Sequence, residues 1–289
     1  MNGIRVGLLE LRFTEEHRSY PINFPPWHSG FKIDSKKPEV FETSVFYHSL
    51  QLQLEHKHLL RSEEWDSLIS RNNIWELWTD KEHNFILTNP MQPLHRQIII
   101  NQQFTRGMVI GKFNQPSKYN YPLPQDLEIV FFVNWLGHFK DLILHASGMV
   151  YEGKGFVFAG RSGVGKSTLA ASLAKETGVI ILGEDQVVLR LIDDKFWIFG
   201  TPWHENRSLC SPMGVPLEKV FFLEKKGIQI INKISQMEGV TRLLQTALIP
   251  YYRPEVVKKL LERLELLSER VPMNLLSYEL GSNVFSMMI

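Results

Sequence analysis

Cysteine is nearly absent: the chain of 289 residues has one, Cys210. An internal disulfide is therefore excluded, as is any metal site built on a cysteine cluster. Long apolar runs are also missing, and no stretch approaches the ~18 apolar residues of a membrane-spanning helix. The first residues, MNGIRVGLLELRF, carry Arg5 and Glu10 and lack the charged, apolar and small-residue order of a secretory signal, so no leader is expected. Charge of one sign is not in excess: 32 Lys and Arg stand against 31 Asp and Glu, a net charge of +1. No strong field or basic tract argues for a nucleic-acid or membrane partner. Internal repeats and low-complexity segments are absent. What is left is an ordinary globular composition, 44% hydrophobic and 22% charged, long enough for one large domain or two smaller ones. A cytoplasmic location is expected.

Against these absences stands one distinctive stretch, GFVFAGRSGVGKSTLAASLAK at residues 155–175. Gly155 to Ala159 has strand character. Gly160, Arg161, Ser162, Gly163, Val164, Gly165, Lys166 and Ser167 fit the pattern G-x-x-x-x-G-K-[ST], and Thr168 onward reads as helix. A strand, a glycine-rich loop and a helix in this order are the context of a phosphate-binding P-loop. Unpaired N–H groups and the helix dipole attract an anion at the helix start. Glycines let the loop curl so that its N–H groups converge on that anion. Lys166 brings a full charge to the β- and γ-phosphates, and the Ser167 hydroxyl suits Mg²⁺. By composition alone such a match arises in roughly one chain of this length in a hundred.

The preceding 125 residues read as β-rich and aromatic. Strands are expected at Ile4–Phe13, Val40–Leu54, Phe85–Thr88, Gln97–Ile100 and Gly107–Ile110, with a long loop over 18–39 and a short helix at Glu63–Leu77. His56 and His58 read as a solvated strand face rather than a metal pair. Leu127–Leu144 is expected as one helix, with Ile129, Val133, Leu136, Phe139 and Leu142 at helical spacing. A hairpin follows, turning at Glu152–Gly155. Beyond the loop, a buried strand Val179–Leu182 ends in Gly183-Glu184-Asp185. Strands at Gln186–Ile192 and Lys195–Phe199 flank a turn at Asp193-Asp194. The segment 200–214 is read as a long loop, with a strand at Val220–Leu223 and helices at Glu238–Leu248 and Pro254–Glu269. Val257, Leu260, Leu261, Leu264 and Leu267 form the apolar face of the last helix. A closing strand is placed at Met273–Leu280. The domain division falls at 1–125 and 126–289.

Phosphoryl transfer needs a carboxylate to hold metal and a group to position or deprotonate the acceptor. Glu184 and Asp185 emerge from an apolar strand about 18 residues beyond Lys166, where a neighbouring strand would deliver acids beside the loop. One of the two can face the metal and the other the acceptor hydroxyl; Asp193 and Asp194 read as turn residues. His145 is placed beside Glu184, where it would tune the proton affinity of that acid. In the 200–214 loop, His204, Glu205 and Arg207 are candidates to touch substrate, Arg207 for bidentate phosphate contact.

The segments LHASGMVYEGKGFVFAGRSGVGKSTLA, ILGEDQVVL and FWIFGTPWHENRS resemble the C-terminal kinase domain of the HPr kinase/phosphorylase family. The resemblance covers residues 140 to about 230. It implies an α/β, mixed α+β, P-loop kinase core of PEP-carboxykinase-like fold, here preceded by the β-rich N-terminal region. It implies ATP and Mg²⁺ as cofactors. His145 matches the family's histidine, Lys166 and Ser167 its P-loop pair, Glu184 its acid/base and Asp185 its second acid. Ser167 and Asp185 are then the metal-holding pair. Four differences stand out. Glu184 occupies a position where the family has Asp, Thr168 one where the bifunctional enzymes carry an acid, and the family's N-terminal domain and Arg-Gly-rich signature are not recognisable. The chain is more similar to diverged HPr-kinase-like proteins, some of which phosphorylate serine on a precursor peptide.

The expectation is an ATP- and Mg²⁺-dependent kinase acting on a hydroxyl of a peptide, a small protein or a small molecule. GTP and pyrophosphate stay open as donors. Its rival is a nucleotide-binding regulatory or assembly module, which needs the loop but not Glu184. A motor or transport ATPase is disfavoured, because no strand ends in a Walker-B-type Asp followed by coupling motifs. The sequence is compatible with a homo-oligomer without specifying one.

Overall fold

A computed structural model describes residues 2–6, 9–15, 26–32, 40–46, 57–61, 75–88, 97–104, 106–110, 121, 123, 125–203, 209–279 and 283–289. The chain divides into two compact units, Met1–His138 and Phe139–Ile289.

In the first unit the described strands are β1 (Asn2–Val6), β2 (Leu9–Glu15), β3 (Val40–Phe46), β4 (Lys57–Arg61), β5 (Glu76–Thr79), β6 (Phe85–Thr88), β7 (Gln97–Ile100) and β8 (Arg106–Ile110). They form one sheet in the order β1-β2-β3-β8-β7-β6-β5-β4. The strands expected at 85–88, 97–100 and 107–110 are present. Glu76 and Leu77 are strand, not helix: Leu77 pairs with Leu87 and is buried, so sheet pairing overrides the local helical pattern. Residues 63–74 of that expected helix, and His56, lie outside the described residues. A 3₁₀ helix, Pro26–Phe31, falls within the expected 18–39 loop. It carries His28 to the buried carboxylate of Glu128 on α1 (Gln125–His138), with Nε2 at 3.1 and 3.2 Å from its two oxygens. The Tyr121 hydroxyl donates to the same carboxylate at 2.7 Å. Burial, and then the charge of Glu128, push the Tyr121 hydroxyl well above its ordinary value.

Leu127–Leu144 is not one helix. α1 ends at His138, Lys140 takes a left-handed conformation (φ 64°), and β9 (Leu142–Leu144) begins the next sheet. The break falls at His138, Lys140 and Asp141, and the apolar run resumes in β9, which is buried throughout. Phe139, expected on the helix face, is 45% exposed.

The second unit contains β10 (Ala146–Tyr151), β11 (Lys154–Ala159), α2 (Lys166–Leu173), β12 (Ile180–Gly183), β13 (Val187–Ile192), β14 (Lys195–Gly200), β15 (Gly214–Lys225), β16 (Ile230–Lys233), α3 (Gln236–Leu244), α4 (Pro254–Arg270), β17 (Met273–Tyr278) and α5 (Phe285–Met288). The sheet runs β12-β10-β11-β15-β14-β13-β9, with β17 beside β15 and β16 beside β17. β15 joins its two parts, since residues 214–216 pair with β14 and residues 220–225 with β17. One core lies between these parts and beneath α3 and α4, around Val157, Leu182, Ile198, Phe222 and Leu260. A second core packs α2 and α5 on the opposite face, around Phe158, Leu169, Leu173 and Tyr278.

Local chemistry explains the turns. β10 and β11 are joined by Glu152 (φ 49°) and Gly153 (φ 73°), and β13 and β14 by Asp193 (φ 45°) and Asp194 (φ 61°). Paired positive φ values fit type I′ hairpin turns, and the first of them is two residues long rather than four. Pro254 stands in the first turn of α4 as expected, but Val256 takes the buried place foreseen for Leu261, which is 41% exposed. α3 starts earlier and ends earlier than expected, capped by Ser235, whose side chain accepts from the Glu238 amide. β16 and α5 have no counterpart in the sequence reading.

Beside β9, Asp141 is buried and accepts from Arg190 Nε at 2.9 Å through each oxygen. Burial raises its carboxyl to about 6 from the ordinary 3.8, partly offset by Arg190 and Arg263. The folded protein then holds this proton to a higher pH than the unfolded chain does. Its contribution to stability is complete below about pH 4 and is lost as pH rises to about 6, with a slope of at most about 1.4 kcal/mol per pH unit. Urea unfolding across this window should show the stability difference between wild type and Asp141→Asn falling as pH rises, then levelling. A difference independent of pH would contradict the assignment.

Candidate functional site

Three strand ends converge on one edge of the second unit's sheet. β10 is antiparallel to both β11 and β12, so β11 and β12 run in the same direction. Ala146 pairs with Ala159, and Gly148 with Gly183. The start of β10 therefore lies beside the carboxyl ends of the other two. His145, the loop beginning at Gly160, and Glu184 with Asp185 leave the sheet together. Ligands of open α/β sheets bind at carboxyl ends of this kind.

The loop after β11 turns back through a Val164 amide to Arg161 carbonyl bond of 3.2 Å. Gly163 (φ 78°) and Gly165 (φ 105°) take left-handed conformations that residues with a side chain rarely adopt. α2 then begins at Lys166 with no side-chain cap, leaving its first-turn N–H groups without helical partners. Ser167 and Thr168 are exposed on that turn, as are Arg161, Ser162 and Gly163 in the loop. Lys166 is 6% exposed and donates through Nζ to the Gly160 carbonyl at 2.9 Å and the Arg161 carbonyl at 3.3 Å. Its ammonium thus spans the loop from within.

At the end of β12, Glu184 is 3% exposed, while the side chain of Asp185 is about one-third exposed. His145 Nδ1 lies 3.0 Å from Asp185 Oδ1, an ion-pair distance that is off the line of a hydrogen bond. His145 thus meets the second of the two adjacent acids, as β10 begins level with the residues just beyond β12. The Ser211 amide donates to the Leu182 carbonyl at 3.2 Å, tying the segment after the 204–208 stretch to the acids. Cys210 on this segment has its thiol pushed up by burial and then by the charge of Glu184. His204, Glu205 and Arg207 lie outside the described residues, while Trp203 before them is buried.

No family model matches the chain, and no curated protein does. Among solved structures, the HPr(Ser) kinase/phosphatase from Coxiella burnetii matches at 14% identity with a TM-score of 0.29, over 50% of this chain and 85% of that one. A likeness so slight carries no argument, and the case for function stands on the residues at the strand edge.

Among the described residues no group of three or more His, Cys, Asp or Glu side chains is placed to enclose a metal ion. Mg²⁺ does not need one. It keeps several waters and is held by one or two carboxylates together with substrate phosphates. The exposed Ser167 hydroxyl and the half-open Asp185 carboxylate are hard oxygen donors of that kind and fit it. No described helix is long and apolar enough to cross a membrane.

Two further parts of the site were not visible in the sequence. A cleft of about 570 Å³ opens beside Gly160, Arg161 and Val164, bordered by Phe222, Glu224 and Arg242. Its size is within the range of small-molecule sites. A hydrogen bond from Lys226, with further help from Arg242, holds the Glu224 carboxyl below its ordinary range. The other is Tyr278, whose hydroxyl reaches the Val164 and Gly165 carbonyls from β17. Neither residue belongs to a motif; both arrive through strand pairing around β15.

Proposed function

We propose that this protein is an ATP- and Mg²⁺-dependent kinase that phosphorylates a hydroxyl, that of a serine in a peptide or small protein. The observation that carries this reading is the joint emergence of an uncapped, glycine-curled loop and two acids from neighbouring strand ends. The loop amides from Gly163 to Thr168 receive the β- and γ-phosphates, and Lys166 leaves the loop carbonyls to meet them. Ser167 and Asp185 hold Mg²⁺, which when bound neutralises charge shared between the phosphates. His145 fixes the orientation of Asp185. Glu184 accepts the proton of the acceptor hydroxyl as its oxygen bonds to the γ-phosphorus; the bond to the β-γ bridging oxygen breaks, and ADP leaves. Arg207 is assigned to the phosphate of donor or product.

This chemistry belongs to the second unit. Incubation with Mg²⁺, γ-labelled ATP and serine-containing peptides should give labelled peptide and stoichiometric ADP. Tight nucleotide binding with neither product would establish the rival reading, a binding module without transfer. The donor is resolved by the same assay with GTP or pyrophosphate in place of ATP.

A further inference from the structure

We infer that Tyr278 is a positioning residue that holds the phosphate-binding loop in its receptive form, an inference that rests on the reading of this loop as a triphosphate site. Tyr278 ends β17, pairs with Lys225 of β15, and is 2% exposed among the side chains that seat α2. Its hydroxyl donates toward the Val164 carbonyl at 3.3 Å and the Gly165 carbonyl at 3.2 Å. A peptide unit is planar, with N–H and C=O pointing in opposite directions. Carbonyls turned toward Tyr278 therefore turn the following amides, those of Gly165 and Lys166, to the other side. That is the side on which an anion would be received.

The two peptides differ in how they are held. The Gly165 carbonyl also accepts from the Leu169 amide at 2.8 Å, as the first bond of α2. The peptide between Val164 and Gly165 depends on Tyr278. It adjoins Gly165, whose φ of 105° lies where glycine alone moves freely. Rotation of this peptide would replace an N–H donor by a carbonyl oxygen facing the phosphate. Tyr278 opposes that rotation from a rigid strand, on the face away from the reacting atoms.

Replacement by Phe keeps the ring and its packing and removes only the hydroxyl. Tyr278→Phe should weaken binding of both ATP and inorganic triphosphate about fivefold, the size of one ordinary hydrogen bond. The KM for the donor should rise by a similar factor while kcat changes less than twofold. Calorimetric titration of wild type, Tyr278→Phe and Lys166→Ala separates the outcomes. If Lys166→Ala loses triphosphate binding and Tyr278→Phe binds as wild type does, the positioning role is overturned and the phosphate site stands. If Lys166→Ala also binds triphosphate normally, the loop is not the triphosphate site and the inference falls with it. A Phe variant that weakens both ligands equally, with KM and kcat split as stated, supports it; loss of kcat with unchanged affinity overturns it.

Discussion

Lys166→Ala should lower phosphoryl transfer by at least about 10²–10³-fold, the scale for removing one preorganised charge-stabilising donor from an active site. The geometry explains why the loss is so large. Lys166 is 6% exposed and braced on the Gly160 and Arg161 carbonyls, so its charge is already poised within the loop. In the proposed reaction its ammonium exchanges these carbonyl partners for phosphate oxygens, over which the transferring phosphoryl group spreads negative charge. Lys166→Arg tests that placement. Arginine keeps the charge, but its planar fork does not reproduce a compact ammonium held by two carbonyls. Arg should therefore recover little of the rate. Initial rates of ADP release and of product formation check this, with thermal melting run alongside to confirm that both variants fold. Wild-type turnover in Lys166→Ala would sink the kinase proposal.

Much of the local structure was legible because its causes are local. Gly163 and Gly165 are needed for left-handed backbone, Asp193 and Asp194 sit in a two-residue hairpin turn, and Pro254 opens a helix; each leaves its mark in neighbouring residues. The strand before the loop and the strand before the acids were legible as short apolar runs. What failed was decided at a distance. Leu142 continues the helical spacing of the apolar residues before it, and pairing with β13 is what makes Leu142–Leu144 a strand. β15 begins at Gly214, in what reads as loop, because pairing with β14 carries Pro216 opposite Trp197. Tyr278 meets Gly165 across 113 residues of sequence. No spacing rule spans that gap; only the pairing of β17 with β15, and of β15 with β11, brings it about. The meeting of His145 with Asp185 is likewise a matter of register between β10 and β12.

Glu184 is the residue on which the difference between a kinase and a nucleotide-binding module turns. A binding module needs the loop amides and Lys166 but has no use for a proton acceptor at the end of β12. Glu184→Gln preserves volume and shape and removes the negative charge, and with it the ability to take a proton. It should lower transfer to the acceptor by about 10²–10⁴-fold, the usual contribution of a general base, with ATP affinity within about twofold of wild type. A purely structural acid would behave otherwise: at 3% exposure, its replacement would lower the melting temperature and leave the rate per folded molecule unchanged. Glu184→Asp probes reach. The shorter chain draws the carboxylate back by about one methylene, and a base set for an acceptor at Glu distance should lose part of its rate with affinity intact. Single-turnover rates with saturating ATP, measured with melting curves on the same preparations, keep chemistry, binding and folding apart. Equal transfer rates in wild type and Glu184→Gln would remove this residue from the mechanism. The proton would then pass to another acceptor, with Asp185, 3.0 Å from His145, next in line at the same strand edge.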